Sequence, residues 1–527
     1  MQQTGHDSRK TNTTWAEILT TTEMRAVEQA AIDSGAVTGL ALMERAGRGA
    51  ADIIRARWPA PGRAVVLCGP GNNGGDGFVV AHLLREWGWR VRVGAAVPPD
   101  RLPPDAAAMC ALWTDGGGRL HPLTPAILHD PDFRPDLVID AVFGTGLTRP
   151  PAGDLAAVLA ESTRLGAADR PPTIIALDGP SGLDLDSGYP LAESQHVKGA
   201  SMIPLSDLTI TFHSLKPGHL TGDGPDYCGK IEVIDIGLPG PDRAKPVTAE
   251  GQADLLTKRN GHKFSHGHAL IVAGGIAHGG AARLSARAAL RTGAGLVTLA
   301  PPRSALIEHG GPPDALMRRG VDHADALAAA LTDSRITSVA LGPGCGIDRA
   351  APLLDPLLAS HRAAVLDADA LTALAARGMH GLHDRCILTP HGGEFARLFP
   401  DLDARLDARL DAAQRGTPGF GKLDAVREAA ARCGATVLLK GPDTVIAAPD
   451  GHARIHSAYD IPWLATAGAG DVLTGIIAGL LARNLAPLDA AATGTFLHAQ
   501  AARRFGPGLI ADDLPDQLPA VFRDLGL

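Results

Sequence analysis

The sequence predicts an α/β protein made of two three-layer αβα domains, and three observations support this prediction. Short apolar runs rich in β-branched residues alternate with Ala/Leu/Arg-rich helical stretches along the whole chain. At 527 residues the chain is longer than one ordinary hydrophobic core supports. The segment 237–246 holds three prolines and two glycines, which favours a linker without regular structure. We therefore expect an N-terminal domain at 1–237, a linker at 238–247 and a C-terminal domain at 248–527.

Composition and charge narrow the class of protein. A hydrophobic fraction of 45% with 20% charged residues is typical of globular domains. A net charge of −8 without a basic block argues against a nucleic-acid or anionic-membrane partner. No uncharged apolar stretch reaches about 18 residues, and the polar first residues lack an apolar signal core, so no membrane span is expected. Six scattered cysteines without a CxxC pair predict a reduced, cytoplasmic protein without a structural zinc site.

The first domain is predicted to be a doubly wound, Rossmann-like sheet. Most of its strand candidates are continuous apolar runs, as parallel strands covered on both faces require. The strands are expected at 64–67, 91–95, 137–141, 173–177, 208–212 and 231–236, with helices that include 77–87 and 155–165.

The second domain repeats this alternation. Its strands are expected at 268–272, 296–299, 338–341, 363–366, 387–388 and 436–439, followed by a small hairpin at 444–448 and 453–455. A leucine at every fourth position over 402–410, with charges between, predicts an exposed amphipathic helix, more consistent with a tolerated insertion than with a function. The segment 416–423 nearly spells a phosphate-binding Walker loop, but Leu423 replaces the Ser or Thr that binds magnesium, so we reject it.

A glycine-rich segment, 69–77, follows the first strand and matches the spacing GxGxxG. It continues into Asp76, which places a carboxylate where a pyrophosphate would approach. No acidic ribose anchor ends the next strand, so an ordinary dehydrogenase is disfavoured. A tight turn between strand and helix is the alternative interpretation of this segment alone.

Two further strands of the first domain end in aspartate, at Asp140 and Asp178. Ligands of open α/β sheets bind at the carboxyl ends of the strands. Asn73, Ser181 and the two aspartates are therefore expected to meet in one cleft. Oxygen ligands without His or Cys suit a hard cation, and a buried aspartate can exchange protons. Each aspartate alone could equally be a loop cap.

Together these motifs resemble the NAD(P)H-hydrate epimerase domain over about residues 15–237. The resemblance rests on Leu42–Gly47, the 69–77 loop, Asp140 with Gly144-Thr145-Gly146, and Asp178 with Pro180-Ser181-Gly182. It implies that the hydrated dinucleotide is bound by Asn72, Asn73, Gly74, Gly75, Asp76, Gly144, Thr145, Gly146, Leu147 and Asp178. It further implies K⁺ ligands at Asn73, Asp140 and Ser181, and Asp178 as the catalytic residue. One departure is Gly179, where the family usually has Ile.

The second domain contains another phosphate-type site. Lys440-Gly441-Pro442-Asp443-Thr444 follows a strand, and Gly468-Ala469-Gly470-Asp471 precedes an apolar helix expected at 472–480. Free N–H groups and the positive dipole end at a helix start suit a phosphate, and Asp471 could act there as a base on a hydroxyl. A simple helix cap is the alternative for Gly470 and Asp471.

With Leu388-Thr389-Pro390-His391 and the small-residue helix after Gly280, this site resembles the ribokinase-like ADP/ATP-dependent NAD(P)H-hydrate dehydratases over about 248–527. The resemblance implies substrate contacts at Ala281, Gly344, His391 and Asp471, with Asp471 catalytic. It places the adenine nucleotide at Lys440, Gly441, Pro442, Asp443, Thr444 and Gly470. Two departures are Gly392, where the family commonly has Pro, and the segment 459–464 before the Gly-Ala-Gly-Asp loop.

The two resemblances together imply repair of hydrated NADH and NADPH (NADHX and NADPHX). The first domain would interconvert the R and S hydrates at C6, and the second would dehydrate the S form with ADP or ATP. Mg²⁺ with the nucleotide and a homo-oligomer are also implied, without a nucleic-acid or membrane partner. The alternatives are a small-molecule kinase whose product keeps the phosphate, and a nucleotide-binding scaffold for RNA or protein.

Overall fold

Two sheets organise the chain. The computed structural model describes residues 17–191, 203–240, 243–248, 250–414 and 420–527. The chain divides into two compact units, one within residues 1–242 and the other within residues 243–409 and 420–527. The predicted glycine-rich and apolar signals fall within these ranges, whereas the polar N-terminus 1–16 and residues 416–419 of the Walker-like segment lie outside them.

The first unit is built on a sheet of seven parallel strands. Its elements are α1 (Thr21–Asp33), α2 (Gly39–Arg57), β1 (Arg63–Cys68), α3 (Asn72–Glu86), β2 (Arg90–Ala95), α4 (Pro104–Asp115), β3 (Leu120–Pro122), β4 (Leu137–Ala141), α5 (Gly153–Gly166), β5 (Thr173–Leu177), β6 (Leu208–Phe212), α6 (Gly224–Cys228) and β7 (Lys230–Ile234). The strand order is β3-β2-β1-β4-β5-β6-β7. The order reverses beside β1, which opens a crevice at the carboxyl ends of β1 and β4.

The doubly wound prediction for this unit is confirmed. Both faces of the sheet are covered, one by apolar side chains of α2, α3 and α4 and the other by those of α5. The structure adds β3, a three-residue strand that the apolar pattern did not predict. It also starts α3 at Asn72 instead of residue 77, so most of the glycine-rich segment lies within a helix.

The second unit is built on a sheet of ten strands. Its elements are β8 (Ala244–Pro246), α7 (Glu250–Leu256), β9 (His268–Val272), α8 (Gly280–Arg291), β10 (Leu296–Ala300), β11 (Met317–Arg318), α9 (Ala324–Leu331), β12 (Ser338–Leu341), α10 (Ile347–Ala359), β13 (Ala363–Leu366), α11 (Asp369–Arg377), β14 (Cys386–Leu388), α12 (Gly392–Leu398), α13 (Pro400–Gln414), α14 (Lys422–Cys433), β15 (Thr436–Leu439), β16 (Asp443–Ala447), β17 (Ala453–Ser457), α15 (Ala469–Ala482), α16 (Pro487–Phe505) and α17 (Leu514–Asp524). The strand order is β11-β10-β9-β12-β13-β14-β15-β16-β17-β8.

Most of this second sheet is parallel, and the predicted hairpin appears as the antiparallel pair β16 and β17. One expectation was wrong: the proline-rich segment 237–246 does contain a regular element, the strand β8. It pairs with β17 at the edge of the sheet, where a proline is tolerated because an edge strand need not donate on both sides. The Val247 N–H donates to the Ile455 carbonyl at 2.9 Å and extends this pairing.

The leucine repeat forms the helix α13, as predicted. Leu402 and Leu406 are buried, whereas Arg405 and Asp407 between and after them are exposed. The apolar stripe therefore packs on the unit and the charges face solvent. The side chain of Leu410 lies outside the described residues.

All six cysteines are buried and free. Burial raises the pKa of each thiol above its usual range. None of the helices in the described ranges combines the length and apolarity needed to cross a bilayer.

Candidate functional site

A cavity of about 680 Å³ opens at the carboxyl ends of β1, β4, β5 and β6 in the first unit. Side chains of α1 and α2 cover it, among them Arg25, Glu28 and Met43. Seven of the residues expected at the dinucleotide site line it: Asn72, Asn73, Asp76, Gly144, Thr145, Gly146 and Asp178. The structure therefore brings together three segments, the first and last of which are more than 100 residues apart in sequence.

Three other expected residues lie beside the cavity without lining it. A Cβ atom on Gly74 would stand 2.2 Å from the Gly69 carbonyl oxygen, and one on Gly75 would stand 2.4 Å from the Met43 sulfur. These two glycines thus let α3 start directly against β1 and α2. Leu147 is buried in a small apolar cluster with Leu191.

Asp178 is held as an ionised carboxylate at the base of the cavity. Its Oδ1 accepts hydrogen bonds from Lys216 Nζ at 2.7 Å and Thr211 Oγ1 at 3.0 Å, and its Oδ2 accepts one from the Thr145 N–H at 2.9 Å. Burial by itself would raise the pKa of Asp178, but the Lys216 charge and these hydrogen bonds outweigh it and lower the pKa. A φ of +65° puts Asp178 in the left-handed region, a strained conformation typical of functional positions.

Lys216 was missed by the sequence analysis. Its side chain is almost fully buried, and its ammonium contacts Asp178 Oδ1, Thr211 Oγ1 and the Phe212 carbonyl. The neighbouring His219 donates a hydrogen bond from its Nε2 to the Asp178 carbonyl at 2.8 Å. The available signal was position: Lys216 follows β6 at the same sheet edge as the two aspartates.

Two of the three expected K⁺ ligands, Asp140 and Ser181, contact each other, and the third, Asn73, lines the cavity. Ser181 donates to Asp140 from both Oγ, at 2.6 Å, and its N–H, at 2.8 Å, and both residues are fully buried. Burial raises the pKa of Asp140, and the Ser181 hydrogen bonds only partly offset this. Asn73 Nδ2 donates to the Leu177 carbonyl at 3.3 Å, and its buried Oδ1 has no hydrogen-bond partner within the described chain. An unpartnered amide oxygen near a buried carboxylate is the donor set that a hard cation prefers.

Gly179, the first departure from the family pattern, has a packing explanation. A Cβ atom there would stand 2.5 Å from Leu185 Cδ2. The buried Leu185 side chain occupies the space that a larger residue at 179 would need. The Leu185 side chain therefore packs against the Asp178–Ser181 turn at Gly179.

In the second unit, Asp471 stands in the first turn of α15. Burial and the nearby Asp367 raise its pKa to about 6, and the Lys440 charge counters part of this shift. A Cβ atom on Gly470 would lie 3.5 Å from Lys440 Nζ, so this ammonium faces the start of α15. A carboxylate, an ammonium and free helix N–H groups thus meet at one helix start.

Lys440 is oriented by a carboxylate network that the sequence analysis did not assign. Its Nζ donates to Asp367 Oδ1 at 2.8 Å and lies 3.8 Å from Glu394 Oε2. Thr474 Oγ1 donates to Asp367 Oδ2 at 2.7 Å. Asp367 follows β13 directly, so the rule that selected Asp140 and Asp178 would also have selected it.

The remaining expected residues of this unit surround the same edge. Gly344 has a φ of +62°, and a Cβ atom on it would lie 3.2 Å from the Ala281 Cβ. His391 caps α12: its Nδ1 accepts from the Gly393 N–H at 3.0 Å, and its ring is largely exposed. Asp443 and Thr444 are buried at the start of β16, whereas Gly441 and Pro442 are exposed in the turn before it.

The segment 459–464, the other departure, forms part of a second cavity of about 430 Å³. Asp460 pairs with Arg503 through two hydrogen bonds of 2.7 and 2.8 Å. The Trp463 side chain is half exposed on the cavity wall. The segment therefore has a defined position anchored on α16.

Comparison with known proteins bears on both units. Residues 269–519 match the family model described as NAD(P)H-hydrate dehydratase, and residues 39–218 match that of the YjeF-related protein N-terminus. The bifunctional NAD(P)H-hydrate repair enzyme Nnr of Coxiella burnetii is 34% identical over 93% of this chain and 96% of its own length. The enzyme of that name from Escherichia coli is 34% identical over 93% of this chain and 91% of its own.

Solved structures are also similar to part of this chain. The ADP/ATP-dependent NAD(P)H-hydrate dehydratase of Bacillus subtilis, co-crystallised with ATP and Mg²⁺, is 27% identical, with a TM-score of 0.44. The match covers 53% of this chain and 98% of the Bacillus chain.

Proposed function

The chain belongs to the family of bifunctional NAD(P)H-hydrate repair enzymes, and from this premise we propose how its two sites divide the work. The protein is an isomerase and a lyase in one polypeptide. It interconverts the R and S hydrates of NADH and NADPH at C6. It dehydrates the S form with ADP or ATP, which yields the reduced dinucleotide, AMP or ADP, and phosphate.

The assignment of each reaction follows the family matches along the chain. We assign the epimerase to residues 1–237, the dehydratase to 248–527 and the connection to 238–247. A homo-oligomer and a cytoplasmic location stay predictions of the sequence.

The epimerase site is the cavity of about 680 Å³, and this cavity is the observation that supports it most. Its size suits a dinucleotide, and Asp178 lies where a substrate would meet a carboxylate. A carboxylate offers about four acceptor positions, and three are taken by Lys216, Thr211 and the Thr145 N–H. The position left on Oδ2 is available for the substrate hydroxyl.

K⁺ fits the residues beneath this cavity. The unpartnered Asn73 Oδ1, the buried Asp140 carboxylate and Ser181 Oγ would hold it. When bound, the ion supplies positive charge beside Asp140 and an anchor for substrate oxygens. The orphaned oxygen of Asn73 supports this assignment independently of the family resemblance.

At the dehydratase site, the hydroxyl at C6 is a poor leaving group until it is phosphorylated. Asp471 takes the hydroxyl proton as the phosphoryl group is transferred. Lys440 and the N–H groups that begin α15 offset the phosphate charge. The lone pair of the ring nitrogen then expels phosphate from C6, and loss of a proton from C5 restores the C5–C6 double bond. The segments 440–444 and Gly470 would bind the adenine nucleotide, with Mg²⁺ brought by its phosphates, while Ala281, Gly344 and His391 contact the hydrate.

Incubation of the full chain with mixed R and S hydrates and ADP tests this function. The near-ultraviolet absorbance of the reduced nicotinamide should recover from both epimers, with one nucleotide consumed per dinucleotide. Nucleotide consumption on another alcohol without recovery of absorbance would instead identify a small-molecule kinase.

A further inference from the structure

Asp76 is a carboxyl group that the proposed reaction has not yet used. It lies on α3, faces the same cavity as Asp178, and is 8% exposed. Within the described chain its side chain makes no hydrogen bond and no ion pair. A buried carboxyl group without a partner is costly when ionised, so it requires an explanation.

Asp76 and Asp178, two of the carboxyl groups that line the cavity, have opposite surroundings. Asp178 receives three hydrogen bonds, one of them from the buried ammonium of Lys216. Asp76 receives none from the described residues, and the buried ammonium of Lys216 is already engaged with Asp178. The structure therefore favours the ionised form at Asp178 and the protonated form at Asp76.

The groups that face Asp76 reinforce this difference. Burial raises the pKa of Asp76 well above its usual value, and the charges of Asp178 and Glu28 raise it further. Asp76 also faces Cys68, the last residue of β1, and burial raises the pKa of that thiol. Asp105 on α4 lines the same cavity. Asp76 follows the first turn of α3, where the helix dipole no longer favours a negative charge.

We propose that Asp76 is the second catalytic residue of the epimerase site and donates the proton that Asp178 does not carry, an inference that rests on the proposed function. Two carboxyl groups in one site whose environments separate their protonation states divide into one acid and one base. Epimerisation requires both, because one proton must leave the substrate oxygen while another reaches the ring nitrogen.

The chemistry balances without a further reactant. C6 carries both the hydroxyl and the ring nitrogen N1. The Asp178 carboxylate takes the hydroxyl proton, C6 and oxygen form a carbonyl, and the C6–N1 bond breaks with its electron pair moving to N1. N1 takes the proton of Asp76. Rotation about C5–C6 presents the other carbonyl face, N1 adds again as its proton returns to Asp76, and the new hydroxyl takes its proton from Asp178.

The test uses the full chain without ADP, so that only epimer exchange can occur. NMR exchange between the R and S hydrates should slow about 10²–10⁴-fold in Asp76→Asn, because an amide cannot transfer a proton. The parent rate should also fall at alkaline pH as Asp76 ionises. Asp76→Glu should keep that alkaline decline. The control Asp115→Asn changes an exposed aspartate at the end of α4, outside the cavity lining, and should exchange like the parent.

A second readout reports the protonation of Asp76 directly. The infrared difference between the parent and Asp76→Asn at neutral pH should contain a carboxylic-acid carbonyl band. In the folded state Asp76 keeps its proton, whereas in the unfolded state it loses that proton above about pH 3.9. As pH rises above this value, Asp76 therefore lowers the free energy of unfolding. Asp76→Asn should therefore unfold no more easily than the parent at neutral pH.

Two outcomes would overturn the proposal while leaving the proposed function intact: no carboxylic-acid band at neutral pH, or parent-like exchange by Asp76→Asn. Failure of the parent itself to accelerate exchange would instead refute the epimerase function and this role with it. Dehydration of the S hydrate by Asp76→Asn with ADP verifies that the variant is folded.

Discussion

At the scale of single residues, the surroundings of Asp471 suit the role of catalytic base that we propose for it. Burial and Asp367 raise its pKa to about 6, while the Lys440 charge limits the rise. A base with a pKa just below neutral is mostly ionised at pH 7 and still holds a proton well.

The first prediction concerns this carboxylate. Dehydration by the parent should decline as pH falls through about 6, because Asp471 then gains a proton and cannot accept another. Asp471→Asn should lose about 10²–10⁴ in dehydration rate and the acid decline with it. Absorbance recovery from the S hydrate with ADP measures both. Epimer exchange without ADP is the internal control and should be unchanged; parent-like dehydration by the variant would remove Asp471 from the mechanism.

Lys216 gives a second prediction at this scale. Lys216→Met should destabilise the protein by about 3–5 kcal/mol, because it leaves the buried Asp178 carboxylate without its cation. The pKa of Asp178, now lowered, would rise, so the deficit should grow with rising pH and shrink in acid. Urea unfolding at several pH values measures this.

Two controls accompany the Lys216 variant. Adding Asp178→Asn should recover part of the lost free energy, since the unpaired charge is removed. Lys230→Met changes a lysine whose side chain is 66% exposed and should leave stability within about 0.5 kcal/mol of the parent. A Lys216→Met variant as stable as Lys230→Met would mean that Asp178 does not depend on its cation.

At the scale of elements, the start of α12 offers a third prediction. Gly392 is its first helical residue, follows the extended His391, and has open space around its Cβ position. Gly392→Pro should raise the free energy of unfolding by about 0.4–1 kcal/mol, because proline fits this position and restricts the unfolded chain.

Gly434 provides the matched control. It ends α14 with a φ of +67° and donates its N–H to the Ala430 carbonyl at 2.9 Å. Gly434→Pro should therefore destabilise the protein, because proline supplies neither that φ nor the N–H. Denaturant midpoints of the two variants should move in opposite directions, and a parallel shift would contradict the argument.

The elements also show what the sequence could and could not predict. Leu137–Ala141 and Thr173–Leu177 were located to the residue because buried parallel strands are unbroken apolar runs. The edge strands Leu120–Pro122 and Met317–Arg318 were missed because they are short and partly exposed. In the first unit, the aspartate that follows β5, Asp178, pointed to the cavity that the structure shows. Lys216 could not be identified from the sequence in this way, because only tertiary packing distinguishes a buried lysine from an exposed one.

At the scale of the whole molecule, we expect the hydrate to diffuse freely between the two reactions, which gives the fourth prediction. An equimolar mixture of Asp178→Asn and Asp471→Asn should convert both hydrates completely, because each variant supplies the reaction that the other lacks. Alone, Asp178→Asn should recover the S fraction and then stall at the spontaneous exchange rate, whereas Asp471→Asn should recover almost nothing. Absorbance traces of the mixture and of each variant decide this. A mixture that still stalls at the S fraction would contradict independent sites.

The burial of all six thiols has a consequence for how this protein ages. Oxidants and electrophiles act on exposed thiolates, and here burial withholds both exposure and ionisation. Oxidation or alkylation of these cysteines therefore requires a local opening of the fold. The rate at which these six cysteines are modified should therefore report how often the fold opens, and not how often a reagent meets the protein surface.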